Sequence, residues 1–323
     1  AWQRAAYRDL EKRTIRLLDD DGSVSSEQVN NALMQLRKIA LHPYLFQESF
    51  PHDRNLYRTS GKLEALDRLL PKLLRFDHKV LVFSQFTSVL DILEAFLSWR
   101  GHACVRLDGQ VSHEQRTERI ARFRSDAGLR VFLLSARAGG LGLNLQAADT
   151  VVLFDLDWNP QNDKQAIARV HRVGQTKEVR VVRLVTDSAV ERHIEQRCQE
   201  KLDLERKVMG AGMFRRQAST DQRRQALQAV LGLAQSSEGE VAAGGSLGSG
   251  GAGGVGELTP PDELNRSLAR GDEELAAFRA MDAKLLKAPA GAEKPQGLAQ
   301  ELERCGRLIS AEEVPRGFAG CGR

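Results

Sequence analysis

Between residues 60 and 208, short apolar runs alternate with longer amphipathic stretches, and this alternation constrains the fold more than any other feature. The apolar runs are predicted to be strands at 80–83, 103–107, 131–134, 151–154 and 179–185. The amphipathic stretches are predicted to be helices at 60–75, 88–99, 112–123, 161–172 and 188–208. Continuous apolar strands separated by helices are typical of a parallel sheet that is covered on both faces. The sequence therefore predicts an α/β fold, a doubly wound parallel sheet with flanking helices.

The remainder of the chain divides into segments of different composition. Residues 1–59 are predicted to hold two helices, the second of which ends before Pro43, because a residue that precedes proline avoids the helical conformation. After the sheet domain at 60–208, residues 209–235 are basic, and residues 236–257 contain nine glycines, as flexible linkers do. Residues 258–323 are predicted to form one or two short helices near 264–286 and a flexible tail. Because residue 1 is Ala within sequence typical of a domain interior, we expect a piece of a longer protein.

Charge and cysteine content narrow the class of protein. A net charge of +4 and a pI of 8.9 favour an acidic partner such as nucleic acid. The four cysteines form no C-x-x-C pair and no Cys/His cluster with the spacing of a zinc site. No metal site is therefore predicted, and free thiols are expected. No apolar run approaches the roughly 20 residues that a membrane helix needs, so no membrane partner is predicted.

The loops that follow the predicted strands hold the chemically informative residues. In a parallel sheet these loops meet at one edge, where ligands bind. The loop after the third strand contains Arg137 and three glycines, Gly139, Gly140 and Gly142. Glycines let backbone N–H groups approach a phosphate, although a plain tight turn would explain them as well. The loop after the fourth strand contains Trp158, which is either a buried anchor or a surface that stacks on bases.

The segment QAIARVHRVGQ at 165–175 carries two arginines. On the predicted helix 161–172, Arg169 and Arg172 are three residues apart and share one face, and Gln165 lies one turn earlier. Two guanidiniums are costly to bury in a core, but they suit a triphosphate because each is a planar fork of donors that stays charged. Gly174 is expected to end the helix. For the arginines taken alone, a solvated basic helix is the alternative.

The chain lacks other parts of a nucleotide site. It contains no G-x-x-x-x-G-K-[ST] loop, since its only Gly-Lys pair, Gly61-Lys62, is followed by leucine. The sequence DEEL at 272–275 resembles an acidic metal-binding box, but no apolar strand precedes it. We interpret it as the surface of a helix. The chain thus has arginines that suit a γ-phosphate but neither a phosphate cradle nor a magnesium ligand.

Five motifs in a fixed order resemble a known family. They are KVLVFSQ at 79–85, RLDG at 106–109, LSARAGGLGLNL at 134–145, DLDWNP at 155–160 and the arginine segment at 165–175. This order resembles the second RecA-like lobe of superfamily-two helicases, and specifically that of SWI/SNF-type chromatin-remodelling ATPase catalytic subunits. MQLRKIALHPYLF at 34–46 resembles the bridge between the two lobes, and VMGAGMF at 208–214 resembles the start of the post-motor segment. The resemblance is strong over about 1–230 and weak over 258–323.

The resemblance implies a role in ATP hydrolysis. Arg169 and Arg172 would be the catalytic arginine fingers that complete an ATP site when two lobes close. Gln165, Gly139, Gly140 and Gly142 would belong to the nucleotide-binding interface. ATP and Mg²⁺ would be bound mainly by a first lobe outside this sequence. The chain alone is therefore expected not to hydrolyse ATP.

The resemblance also implies macromolecular partners. One set of residues is expected to hold the backbone of double-stranded DNA without specifying sequence, namely Ser84, Gln85, Arg106, Arg137 and Trp158. Another set is expected to contact histones or a motor lobe, although a solvated helix fits equally well, namely Arg215, Arg216, Arg223 and Arg224. The expected partners are double-stranded DNA, nucleosomes with their histones, and other subunits of a remodelling complex. The expected location is the nucleus.

Two departures from the family pattern keep alternatives open. Ala136 stands where a threonine is usual, and Ile167-Ala168 stands where a more polar pair is usual. Both would fit a nucleic-acid or chromatin binding module that does not hydrolyse ATP. A second alternative is a related superfamily-two motor that acts in DNA repair or transcription.

Overall fold

The computed structural model contains one five-stranded parallel sheet with the strand order β2-β3-β1-β4-β5. It describes residues 2–19, 26–139, 143–210 and 259–286, together with residues 302, 305 and 307–309. The strands are β1 (Val80–Ser84), β2 (Cys104–Leu107), β3 (Val131–Ser135), β4 (Thr150–Leu153) and β5 (Arg180–Arg183). The predicted α/β fold with a doubly wound parallel sheet is confirmed, and all five strands occur where the apolar runs predict them.

The helices of the described residues follow the predicted alternation. They are α1 (Trp2–Asp19), α2 (Ser26–Leu41), α3 (Asn55–Arg58), α4 (Gly61–Arg75), α5 (Thr87–Trp99), α6 (His113–Ser125), α7 (Ala136–Gly139), α8 (Pro160–Ile167), α9 (Ala189–Gly210), α10 (Pro261–Leu268) and α11 (Asp272–Leu285). A short 3₁₀ helix, Pro43–Phe46, follows α2. The Ser112 side chain accepts a hydrogen bond from the Gln115 N–H and so caps α6.

The strands β1, β3 and β4 are buried on both faces of the sheet, which explains why they are continuous apolar runs. Along β1, Val80 and Val82 pack with α4 and α5 in one core, while Leu81 and Phe83 belong to the other. Successive side chains of a strand point to opposite faces, so both sets must be apolar when helices cover both sides. The second core includes Phe123 of α6 and side chains of α8 and α9.

The predicted helices near 264–286 are α10 and α11, and they pack against the sheet domain. The Lys72 Nζ of α4 lies 2.7 Å from Asp282 Oδ1 and donates to Asn265 Oδ1 at 2.7 Å. Arg270 donates to the backbone oxygen of Asp149 at 2.9 Å. These contacts join residues that are more than 100 positions apart, so α10 and α11 are packed as part of the sheet domain.

The acidic sequence at 272–275 is the first turn of α11, as the helix-surface interpretation predicts. Asp272 and Glu273 are exposed. Glu274 is half-buried, and it accepts a hydrogen bond from the Arg270 N–H at 2.9 Å. Its other oxygen lies 3.2 Å from His78 Nε2. Acidic side chains are favourable at the start of a helix, where the backbone dipole is positive.

A short piece of the C-terminal tail also contacts the sheet domain. Arg307 donates to Glu64 at 3.1 Å and to Asp67 at 2.6 Å, and both carboxylates are buried on α4. Ile309 donates its N–H to the backbone oxygen of Arg58 at 3.0 Å. Several predictions fall outside the described residues, namely those on Arg215, Arg216, Arg223 and Arg224, on the linker at 236–257, and on most of the tail.

Candidate functional site

The carboxyl ends of all five strands lie at one edge of the sheet. The chain leaves β1 towards β2 on one side and leaves β4 towards β5 on the other. The topological switch point, where ligands collect in such sheets, therefore lies between β1 and β4. Two of the predicted loops, 84–86 and 155–160, meet there. The Gln85 N–H donates to Asp155 Oδ1 at 2.9 Å and joins them.

Asp155 is the buried centre of this junction, and its side chain is fully inaccessible to solvent. Burial raises its pKa to about 6, while the charge of Arg37 and the Gln85 N–H oppose that shift. The Arg37 Nη2 lies 3.8 Å from Asp155 Oδ2, and the same group donates to the Leu156 backbone oxygen. The Arg37 guanidinium also lies 5.1 Å from the centre of the Phe86 ring.

Sequence analysis missed both members of this pair. Arg37 belongs to α2, so the N-terminal segment is bonded directly to the loops at the switch point. A signal did exist, because Arg37 lies one helical turn from Leu33 and one from Leu41 on an otherwise apolar side of α2. A charge in that position is either expensive or paired with another charge.

The loop at 155–160 is fastened to α9 as well. Lys201 Nζ donates to the Trp158 backbone oxygen at 2.8 Å, and Cys198 Sγ lies 3.0 Å from the Asp157 backbone oxygen. The Trp158 ring is half-buried against the second core and lies edge-on to His193, with 5.9 Å between ring centres. The ring is therefore partly an anchor. Its contact with DNA stays a prediction.

Two of the predicted DNA contacts have other bonds in the structure. Ser84 is buried, and its Oγ accepts from the Phe86 N–H at 3.2 Å, so it shapes the loop that carries Gln85. Arg106 contacts three carboxylates, with Nη1 2.5 Å from Asp91 and 3.1 Å from Glu94, and Nε 2.9 Å from Asp108. Three acids surround that guanidinium, and its predicted contact with a DNA phosphate stays a prediction.

The glycine-rich loop begins as the short helix α7. The Ser135 Oγ accepts from the Ala138 N–H at 3.2 Å and starts this turn. Gly139 is the last residue of α7. The side chain of Arg137 and the residues Gly140 and Gly142 lie outside the described part, so their predicted roles stay predictions.

The arginine segment differs from the predicted helix. Helix α8 ends at Ile167, so Gln165 is on the helix, while Arg169 and Arg172 are in the turn that follows it. The prediction that the arginines share a helical face was wrong. A longer helix would bond the carbonyl of Arg169 to the N–H four residues later. Instead that carbonyl accepts from the Leu145 N–H at 3.2 Å, so a tertiary contact replaces the helical one.

The two arginines of the turn differ in their exposure to solvent. Arg169 is half-buried and Arg172 is exposed, and Gln165 is exposed on α8. Gly174 has φ +98°, a left-handed conformation that favours glycine, and it closes the turn. The two guanidiniums thus belong to one compact turn, which contacts residues 145–148 just before the start of β4. Such a turn can present both to an anion at the domain surface.

Within the described residues, no three or more His, Cys, Asp or Glu side chains are grouped so that they could hold a metal ion. The described helices also include none with the length and apolar character needed to cross a membrane.

Comparisons with known proteins place this geometry in a class. A family model described as the helicase conserved C-terminal domain matches residues 61–174. The C-terminal part of the Fun30 ATPase domain is 30% identical, with a TM-score of 0.54, and the match covers 61% of this chain and 85% of that one. The SWI2/SNF2 ATPase core of Sulfolobus solfataricus, solved in complex with dsDNA, is 27% identical with a TM-score of 0.52, over 60% of this chain and 40% of that one.

The fold and the site thus define a RecA-like helicase C-terminal lobe. Among curated relatives, the chromatin structure-remodeling complex subunit snf21 of Schizosaccharomyces pombe is 40% identical over 324 residues, which is 97% of this chain and 25% of that protein. The chain belongs to the SWI/SNF family of chromatin-remodelling ATPases. It spans about a quarter of the length of that relative.

Proposed function

We propose that this chain is the second motor lobe of an ATP-dependent translocase that moves along double-stranded DNA and remodels nucleosomes. The observation that carries the proposal is the compact turn at 168–175, which carries both Arg169 and Arg172 directly after α8 in a RecA-like sheet domain. Similar proteins support it, since one is a chromatin structure-remodeling complex subunit and another is an ATPase core in complex with dsDNA.

The residues present fit one side of an ATP site. Two arginines in one turn suit the γ-phosphate, because guanidiniums stay charged and match phosphate oxygens with paired donors. The described residues contain no grouped carboxylates for Mg²⁺, so we assign the metal to a first lobe. ATP, when bound, supplies the phosphoryl group whose transfer to water drives the motor.

In this proposal the lobe acts by positioning charge. Arg172 is exposed, so it can reach a nucleotide held by a facing lobe, and Arg169 lies at the base of the same turn. Both would stabilise negative charge that develops on the transferring phosphoryl group. Gln165, exposed on α8, would face the same interface.

The proposed DNA contacts come from the loops at the switch point. Gln85 and Trp158 lie in two loops that Asp155 joins, and Arg137 begins the neighbouring loop after β3. We leave Arg106 out of this set because of its three carboxylate partners. A motor that steps along any sequence should grip phosphate and sugar, which fix register without specifying sequence. Arg215, Arg216, Arg223 and Arg224 are proposed to contact histones in the nucleus.

The decisive experiment uses the intact protein with both lobes. Arg169→Ala and Arg172→Ala should each lower kcat for DNA-stimulated ATP hydrolysis by roughly 10³-fold, the scale of arginine fingers, while DNA affinity stays nearly unchanged. If DNA affinity falls and turnover per bound complex survives, the arginines belong to a DNA groove and the assignment is wrong.

The same experiment addresses the alternatives. Intact protein without ATP turnover would favour the binding module. Turnover stimulated equally by naked DNA and nucleosomes would favour a repair or transcription motor. The 323-residue chain on its own should not hydrolyse ATP, and turnover that is lost on Arg172→Ala would contradict that expectation.

A further inference from the structure

The turn at 168–175 is held by side-chain amides as well as by its own backbone hydrogen bonds. Because α8 ends at Ile167, the backbone carbonyls that follow lack regular helical partners. A turn of this kind keeps one conformation only if other groups take up its carbonyls. Two glutamine side chains, Gln146 and Gln175, do so.

Gln175 lies at the centre of these contacts. Its Nε2 lies within hydrogen-bond distance of three backbone oxygens, those of Gln146 at 3.1 Å, Ala148 at 3.0 Å and Val170 at 3.3 Å. Its Oε1 accepts from the Lys177 N–H at 3.0 Å. The Gln175 amide therefore connects three segments, namely the arginine turn, residues 144–148, and the segment that leads from the turn to β5.

Gln146 holds the far end of the turn. Its Nε2 donates to the Val173 backbone oxygen at 2.6 Å, next to Arg172. A Cβ at Gly174 would lie 3.5 Å from that same nitrogen. With the bond from the Leu145 N–H to the Arg169 carbonyl, segment 144–148 contacts the turn beside both arginines.

We propose that Gln146 and Gln175 are positioning residues that hold the two arginines in their working orientation, an inference that rests on the proposed function. We call the pair the glutamine latch. Only a neutral amide can donate from Nε2 and accept at Oε1 in this way, since a carboxylate has no donor. Segment 144–148 continues the loop after β3, so the latch also makes that loop and the arginine turn move together.

The expected loss of kcat follows from the sensitivity of catalysis to the position of the catalytic groups. A displacement of about 1 Å can cost roughly 100-fold in rate, even when it arises away from the reacting atoms. Gln175→Glu keeps the shape of the side chain but removes its donor and sets a carboxylate against three carbonyl oxygens. Gln146→Ala removes the bond to the Val173 carbonyl.

The test uses the intact two-lobed protein. Gln175→Glu and Gln146→Ala should lower kcat for ATP hydrolysis by about 10- to 100-fold, with KM for ATP and DNA affinity changed less than about threefold. Gln199→Ala is the matched control, because Gln199 is an exposed glutamine whose amide bonds to Asp203 on the same helix. It should leave kcat unchanged.

Hydrogen exchange in the same proteins separates positioning from a general loss of folding. Backbone amides at 170–177 should exchange at least tenfold faster in both latch variants, while those of β1 keep their protection. Unchanged exchange at 170–177 would overturn the latch. If Arg172→Ala abolishes turnover but the latch variants retain full kcat, the latch is overturned and the proposed function stands. If Arg169→Ala and Arg172→Ala both retain full kcat, the result contradicts the proposed function itself, whatever the latch variants show.

Discussion

A buried ion pair is one of the contacts that pack α10 and α11 on the sheet domain. The Lys72 side chain is fully buried, and its Nζ lies 2.7 Å from Asp282 Oδ1. Asn265 joins the pair by accepting from Lys72 and by donating to Asp282 at 2.7 Å. Burial lowers the pKa of Lys72, and the hydrogen bond and charge of Asp282 oppose that shift. Lys72, Asn265 and Asp282 therefore form one buried polar cluster.

The perturbation is Asp282→Ala. It leaves an uncompensated charge on Lys72 and an unpaired amide on Asn265, both out of contact with water. Removing one partner of a buried pair costs about 3–5 kcal/mol. For a domain of this size, that loss corresponds to a fall in Tm on the order of 10 °C.

The assay is thermal and urea unfolding of the chain, with hydrogen exchange along α11 to detect local detachment. Asp262→Ala is the matched control, because Asp262 also pairs with arginines, Arg266 and Arg279, but at the exposed surface. It should cause no measurable shift in Tm. Combining Asp282→Ala with Lys72→Met should recover about half of the loss, since the unpaired charge is removed.

The reasoning would be refuted if Asp282→Ala shifted Tm no more than Asp262→Ala. It would be refuted equally if the double variant were less stable than Asp282→Ala alone. Either result would mean that Lys72 reaches solvent and that the pair does not hold α10 and α11 in place.

Three other expectations concern single residues. Burial of the ring lowers the pKa of His42 to about 4, although its hydrogen bond to the Leu56 carbonyl opposes that shift. The unfolded state therefore binds more protons between pH 6.5 and 4, so stability that is complete above pH 6.5 falls by about 3 kcal/mol towards pH 4. His42→Gln should remove this contribution, and urea unfolding should show its gap to wild type narrowing as pH falls; a constant gap would contradict it. Trp158→Ala should cost about 2 kcal/mol, since its ring is half-buried, and should let ATP turnover continue without translocation; normal translocation would exclude the DNA role. Arg106→Ala should leave the salt dependence of DNA binding unchanged, whereas a slope reduced by about one unit would return Arg106 to the phosphate contacts.

Local patterns in the sequence determined the sheet domain. The strands β1, β3 and β4 are continuous apolar runs because both faces of the sheet are covered there, and a side chain cannot avoid burial on either. Ser112 lies immediately before α6 because its hydroxyl satisfies an N–H only three residues away. Such features depend on neighbours within a few residues, so they can be recognised without the fold. The motif order also pointed to the family, because it places particular side chains at the ends of particular strands.

Contacts between distant residues decided the rest. Helix α8 ends at Ile167, and the carbonyls of Arg169 and Val170 accept from Leu145 and Gln175 in contacts that the local pattern does not show. The ion pairs of Arg106 could not be foreseen, because Asp91 and Glu94, on the neighbouring helix α5, reach it only once the sheet has formed. Arg37 and Asp155 are separated by more than 100 residues, and burial made them partners. A buried charge must find an opposite charge or a donor wherever the chain brings one, so only the tertiary structure decided which groups meet.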